Sequence, residues 1–60
     1  MQQQDPKLSD ILDYFANMSE TLAEAALLNG LDALAHIYYM AALEARTLLK
    51  TARANEAATG

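Results

Sequence analysis

Two lines of apolar residues recur at alternating intervals of three and four along the chain, and Asn29 and Gly30 separate them. The first line is Leu8, Ile11, Phe15, Met18, Leu22 and Ala25, and the second is Leu31, Leu34, Tyr38, Ala41, Ala45, Leu48 and Ala52. This spacing keeps each line on one face of an α-helix. Asn and Gly tolerate the left-handed backbone that ends helices. The pattern therefore predicts an all-α fold: one helical domain over residues 1–60, with helices at about 6–28 and 31–54.

The short connection predicts that the two helices fold back on each other as an antiparallel hairpin. Folding about Asn29-Gly30 would place Asp13 near Arg46 and Asp10 near Lys50, so that the acidic start of the first helix meets the basic end of the second. Each cluster also suits the dipole of its own helix end. One long helix through Gly30 is the alternative, since glycine inside a helix costs only about 1 kcal/mol.

Small residues in the second helix predict where the two helices approach most closely. Ala41, Ala42 and Ala45 would let a neighbouring helix come near, and in the hairpin they would face Phe15 and Met18. Large residues opposite small ones pack well. We therefore expect both apolar lines to form the core of the hairpin.

The ends of the helices carry weaker signals than their centres. Asp5 suits an N-cap and Pro6 the first helical position. Capping-box spacings on either side of Ser19 leave a break in the first helix open. Residues 1–4 are mostly polar and residues 55–60 lack large apolar side chains, so both ends are expected to fray.

The small size of the chain predicts that it needs support from outside the hairpin. A protein of 60 residues buries only about 60% of the surface that its unfolded chain exposes. The sequence has no cysteine for a disulfide and a single histidine, which excludes a histidine-rich metal site. Oligomerisation is the remaining common means of stabilising so small a scaffold.

The second helix carries large apolar residues outside its main stripe. Ile37, Tyr39, Met40 and Leu43 lie within two turns and are our predicted partner-binding residues. We expect two hairpins to pair as a homodimer in a four-helix bundle, or one hairpin to bind a heterologous protein. The function expected is that of a small non-enzymatic interaction module: an adaptor, a regulator or a chaperone-like subunit that acts through an apolar helix face.

Charge and hydropathy exclude several classes of partner. The formal net charge is −4 and the pI is about 4.5, which disfavours nucleic-acid binding. Asp32 and His36 interrupt the most apolar window, at residues 25–43, so we expect no membrane span. The first residues lack the basic and apolar regions of a signal peptide. A cytoplasmic protein is expected.

The candidate chemistry centres on His36. Asp32 precedes it by four residues and could orient its imidazole, but no serine is placed to complete a triad, and we expect neither catalysis nor a cofactor. The alternative function is a metal-binding helical bundle that uses Glu20, Glu24, Glu44 and His36. Ferritin-like sites use a Glu-x-x-His pair, whereas this chain has Asp32-x-x-x-His36.

Overall fold

A computed structural model describes residues 7–59 of the chain as two helices that pack against each other. Helix α1 spans Leu8–Leu28 and helix α2 spans Asp32–Thr59. Ser9 contacts Glu56 and Glu20 contacts Arg46, so the helices are antiparallel. The predicted all-α hairpin is confirmed. Because α1 is continuous and ends before Gly30, neither the break near Ser19 nor the single long helix is present.

The Asn29-Gly30 connection ends α1 in the way that the sequence predicts. Gly30 has a φ of 72°, in the left-handed region. The Leu31 N–H donates to the Ala26 carbonyl at 2.8 Å, and the Gly30 N–H donates to the Leu27 carbonyl at 3.0 Å. These two hydrogen bonds form a Schellman motif, which satisfies carbonyls that the helix end would otherwise leave unpaired.

The outer ends of the helices differ from the prediction. Asp5, Pro6 and residues 1–4 lie outside the described residues, and Lys7 occupies the N-cap position of α1. Helix α2 continues to Thr59, so its predicted end near Ala54 is wrong. The fraying of residues 55–60 stays a prediction. Ala54, Ala57 and Ala58 favour this extension, because alanine has the highest intrinsic helix propensity.

A contact between the helices also supports the end of α2. The Ser9 hydroxyl donates to Glu56 Oε1 at 2.7 Å, and the Ser9 backbone N–H donates to Glu56 Oε2 at 3.3 Å. Ser9 is the second residue of α1, whose N–H has no partner within the helix. A carboxylate also suits the positive end of the helix dipole. Glu56 therefore caps α1 from across the hairpin.

The seam between the helices consists mainly of small residues. Its buried members are Ser9, Leu12, Ala16, Ala23 and Ala26 in α1, and Ala35, Ala42, Ala45, Leu49 and Ala52 in α2. They recur at intervals of three, four or seven residues, which keeps them on one face of each helix. Leu12 and Leu49 are the only large apolar side chains buried in the described part of the chain.

The prediction that both lines of large residues form the core of the hairpin is wrong. Phe15 and Met18 line a hollow with Ala41 and Ala45 of α2, but they are not buried there, since 52% and 40% of their surfaces are exposed. In α1 the true seam is displaced by one residue, from Phe15 to Ala16 and from Leu22 to Ala23. The apolar side of α1 is wide enough that either the line through Phe15 or the line through Ala16 could face α2. Alanine allows the helix backbones to approach closely, and the large side chains are left on the outside.

The register of the hairpin also differs from the prediction. Arg46 Nη2 lies 2.6 Å from Glu20 Oε2, whereas neither Asp13–Arg46 nor Asp10–Lys50 forms an ion pair within residues 7–59. The prediction treated Asn29-Gly30 as a symmetric pivot. The contacts of Ser9 with Glu56 and of Glu20 with Arg46 instead set a register that is shifted toward the end of α2.

Candidate protein-interaction surface

One broad side of the hairpin carries seven of the large apolar residues that the seam leaves out, and we call it the apolar face. We define it by Phe15, Met18, Leu22, Leu31, Leu34, Tyr38 and Leu48, all of which line two hollows between the helices. Tyr38 is half-buried, and the other six side chains are 38% to 52% exposed. Phe15, Leu22, Leu34 and Leu48 each directly precede a buried seam residue, so they stand beside the seam, to one side of it.

The surface of the apolar face contains two hollows. The first has a volume of about 340 Å³ and is lined by Leu12, Phe15, Met18, Ser19, Ala41, Glu44, Ala45 and Leu48. The second, near the connection, has a volume of about 220 Å³ and is lined by Leu22, Ala25, Ala26, Asn29, Leu31, Leu34 and Tyr38. A cavity of about 150 Å³ holds a benzene molecule. Each hollow is therefore large enough to receive an apolar side chain from another helix.

The opposite side of the hairpin is charged. Arg46 and Glu20 form their ion pair there, and Arg46 also lines a groove of about 400 Å³ with Leu43, Thr47, Leu49, Lys50 and Arg53. Three of the four basic residues of the chain line this groove. Glu44 is the one charged residue among those that line the two hollows of the apolar face. The hairpin is thus a layer with one apolar side and one charged side.

The predicted partner-binding residues are all exposed, as a contact surface requires. Ile37, Tyr39, Met40 and Leu43 have exposed fractions from 39% to 61%. The structure does not gather them on one flat surface: Leu43 lines the charged groove, and helical spacing places Met40 on the outer side of α2, away from the seam. Their role in binding stays a prediction.

Sequence reasoning missed the apolar face because it used the same residues to build the core of the hairpin. The signal that could have revealed it is the second line of small residues in α1, which runs one position later through Ser9, Ala16 and Ala23. Two parallel lines, one small and one large, indicate a helix that packs on two sides. Glu56 was missed for another reason, since its partner Ser9 lies 47 positions away in the sequence.

The residues proposed for the alternative metal site do not come together. No group of three histidine, cysteine, aspartate or glutamate side chains within residues 7–59 is arranged to hold a metal ion. Glu20 is engaged by Arg46 on the charged side, whereas Glu44 lines a hollow of the apolar face. His36 is exposed in the first turns of α2. Within the described region, neither helix combines the length and hydropathy that crossing a bilayer requires.

Comparisons with models of protein families, with curated proteins and with solved structures find no match to this chain.

Proposed function

We propose that this chain is a small non-enzymatic protein–protein interaction module, and that it works as a homodimer in which two hairpins form a four-helix bundle. The observation that carries this proposal is the orientation of the helices. They turn small residues toward each other and leave their large apolar residues outside. Such a hairpin is one layer of a two-layer structure, because stable domains bury the apolar stripes of their helices against another element.

The energy of burial favours a second layer. Full burial of one large apolar side chain is worth about 1.5–3 kcal/mol. In the described hairpin, Leu12 and Leu49 contribute this free energy of burial almost in full. The seven residues of the apolar face stay partly exposed to water. Scaffolds of this size without disulfides or metals depend on oligomerisation or on exceptionally good helix packing. Association would convert the exposed residues into a core.

The dimensions of the hairpin suit a second copy as the partner. The molecule measures 45 × 27 × 10 Å, so it is a thin slab with two broad sides. A contact over most of one side would bury on the order of 1,000 Å² per copy, compared with about 800 Å² per partner in a standard interface. Closed dimers with twofold symmetry are the commonest homo-oligomers. As an adaptor, regulator or chaperone-like subunit, the dimer would act through helix surfaces and not through a catalytic group.

Thermal unfolding at different protein concentrations tests this proposal. If folding is coupled to dimerisation, the Tm followed by circular dichroism should rise by at least about 5 °C over a hundredfold increase in concentration, since mass action stabilises the associated state. A monomeric hairpin would show the same Tm throughout. A cooperative transition whose Tm does not depend on concentration, in a chain of monomer mass, would contradict the homodimer.

A further inference from the structure

We infer that the two copies meet through their apolar faces, and not through the outer side of α2 that carries Met40. This inference rests on the proposed homodimer and specifies which surface forms it. Three independent features of the hairpin separate the two candidate surfaces: the distribution of charge, the shape of the surface, and the number of helices that contribute to it.

The distribution of charge favours the apolar face. Each copy has a formal net charge of −4, so two copies repel each other unless their charged groups stay apart or in water. Of the residues that line the hollows of the apolar face, only Glu44 is charged. A contact centred on Leu43 would instead bring together the two copies of the groove that holds Arg46 and Lys50. Like charges placed opposite each other disfavour that arrangement.

The shape of the apolar face suits a copy of itself. Ala41 and Ala45 form the floor of the larger hollow, and Phe15, Met18 and Leu48 stand around it. In a twofold contact the same patch supplies both surfaces, so ridges and hollows must occur together on it. Well-packed cores place large side chains opposite small ones. In the twofold contact, large side chains of one copy would enter hollows lined by alanine in the other. The apolar face presents both elements.

The two helices together make the apolar face the wider surface. Phe15, Met18 and Leu22 come from α1, and Leu34, Tyr38 and Leu48 come from α2. A dimer through this face would surround the contact with four helices, which is the arrangement of a four-helix bundle. The outer side of α2 offers the surface of a single helix.

Two matched substitutions test the inference. Phe15→Glu changes the apolar face, and Met40→Glu makes the same kind of change on the outer side of α2, where the exposed fractions of Phe15 and Met40 are 52% and 51%. Sedimentation equilibrium should show that Phe15→Glu raises the dimer dissociation constant by at least about 30-fold, as expected for loss of an interface hot spot. Met40→Glu should change it by less than about threefold. The reverse order would overturn the inference while leaving the homodimer intact.

A second measurement decides the question if the Phe15→Glu variant does not fold. The chain has no cysteine, so Leu22→Cys and Met40→Cys each introduce a unique thiol. In the folded protein at dimer concentrations, the thiol of Leu22→Cys should react with a maleimide at least about tenfold more slowly than that of Met40→Cys. Equal rates, or protection of the Met40→Cys thiol alone, would overturn the inference. A monomeric wild-type chain would instead overturn the proposed function on which it rests.

Discussion

Replacing Ala23 with leucine is expected to lower the free energy of unfolding by about 1–3 kcal/mol, although it adds apolar surface to an apolar stripe. Ala23 is completely buried in the seam between the helices, where its small size lets the two backbones approach. Three further carbon atoms at this point must push α2 away or adopt an unfavourable rotamer. Urea unfolding at one fixed protein concentration measures the change.

Ala54→Leu is the matched control for this prediction. Ala54 lies in α2 and is exposed, and leucine and alanine have similar helix propensities, so the same substitution should change stability by less than about 0.5 kcal/mol. If Ala23→Leu proved as stable as the wild type, the seam would have room for a large side chain. The line through Phe15 and Leu22 would then become the better candidate for the contact between the helices.

Leu49→Ala is expected to cost about 2–5 kcal/mol, the largest effect of any single truncation in the hairpin. Leu49 is 6% exposed and forms the buried cluster with Leu12 and Ala52. Removing its side chain leaves a cavity in a seam that has few other large groups to fill it. Since native proteins are stable by only about 5–15 kcal/mol, a loss of this size removes a large share of the stability of the wild type.

Leu28→Ala provides the control for the truncation of Leu49. Leu28 is the last residue of α1 and is 87% exposed, so its removal should change the free energy of unfolding by less than about 0.5 kcal/mol. Far-UV circular dichroism during urea unfolding compares the two variants. Equal stability of Leu49→Ala and Leu28→Ala would show that the cluster of Leu49 and Leu12 is not the core of the hairpin.

The features that the sequence predicted correctly depend on local signals. Two helices and one break follow from the spacing of apolar residues and from the backbone freedom of Gly30, which the structure uses at a φ of 72°. These signals act within one or two helical turns. They do not depend on how the helices later pack, and a single sequence is sufficient to recognise them.

The features that the sequence did not predict depend on packing between distant residues. Periodicity shows that α1 has an apolar side, but it does not show whether Phe15 or Ala16 faces α2, because the two lie next to each other on that side. The register of the ion pairs depends on the path of the connection, which placed Arg46 beside Glu20 and not beside Asp13. In α1 the prediction therefore placed Phe15, and not Ala16, against α2, whereas Ala42 and Ala45 of α2 are buried where the prediction expected the closest contact.

The apolar face follows from this one displacement. Once Ala16 and Ala23 occupy the seam, Phe15 and Leu22 must stand beside it, on the side where α2 places Leu34 and Leu48. A narrow apolar stripe would have been buried entirely between the two helices of the hairpin. Here the stripe is wide enough to supply both the seam and a second apolar surface, and that width is why we propose a partner.

The mass of the wild-type chain in solution tests the need for that partner most directly. One chain has a mass of 6.5 kDa. Sedimentation equilibrium across a dilution series should give twice that mass at micromolar concentrations, and helix content should fall as the dimer dissociates on dilution. A fully helical species of 6.5 kDa that persists across the series would show that the hairpin is stable with its apolar face exposed, and would contradict the proposed homodimer.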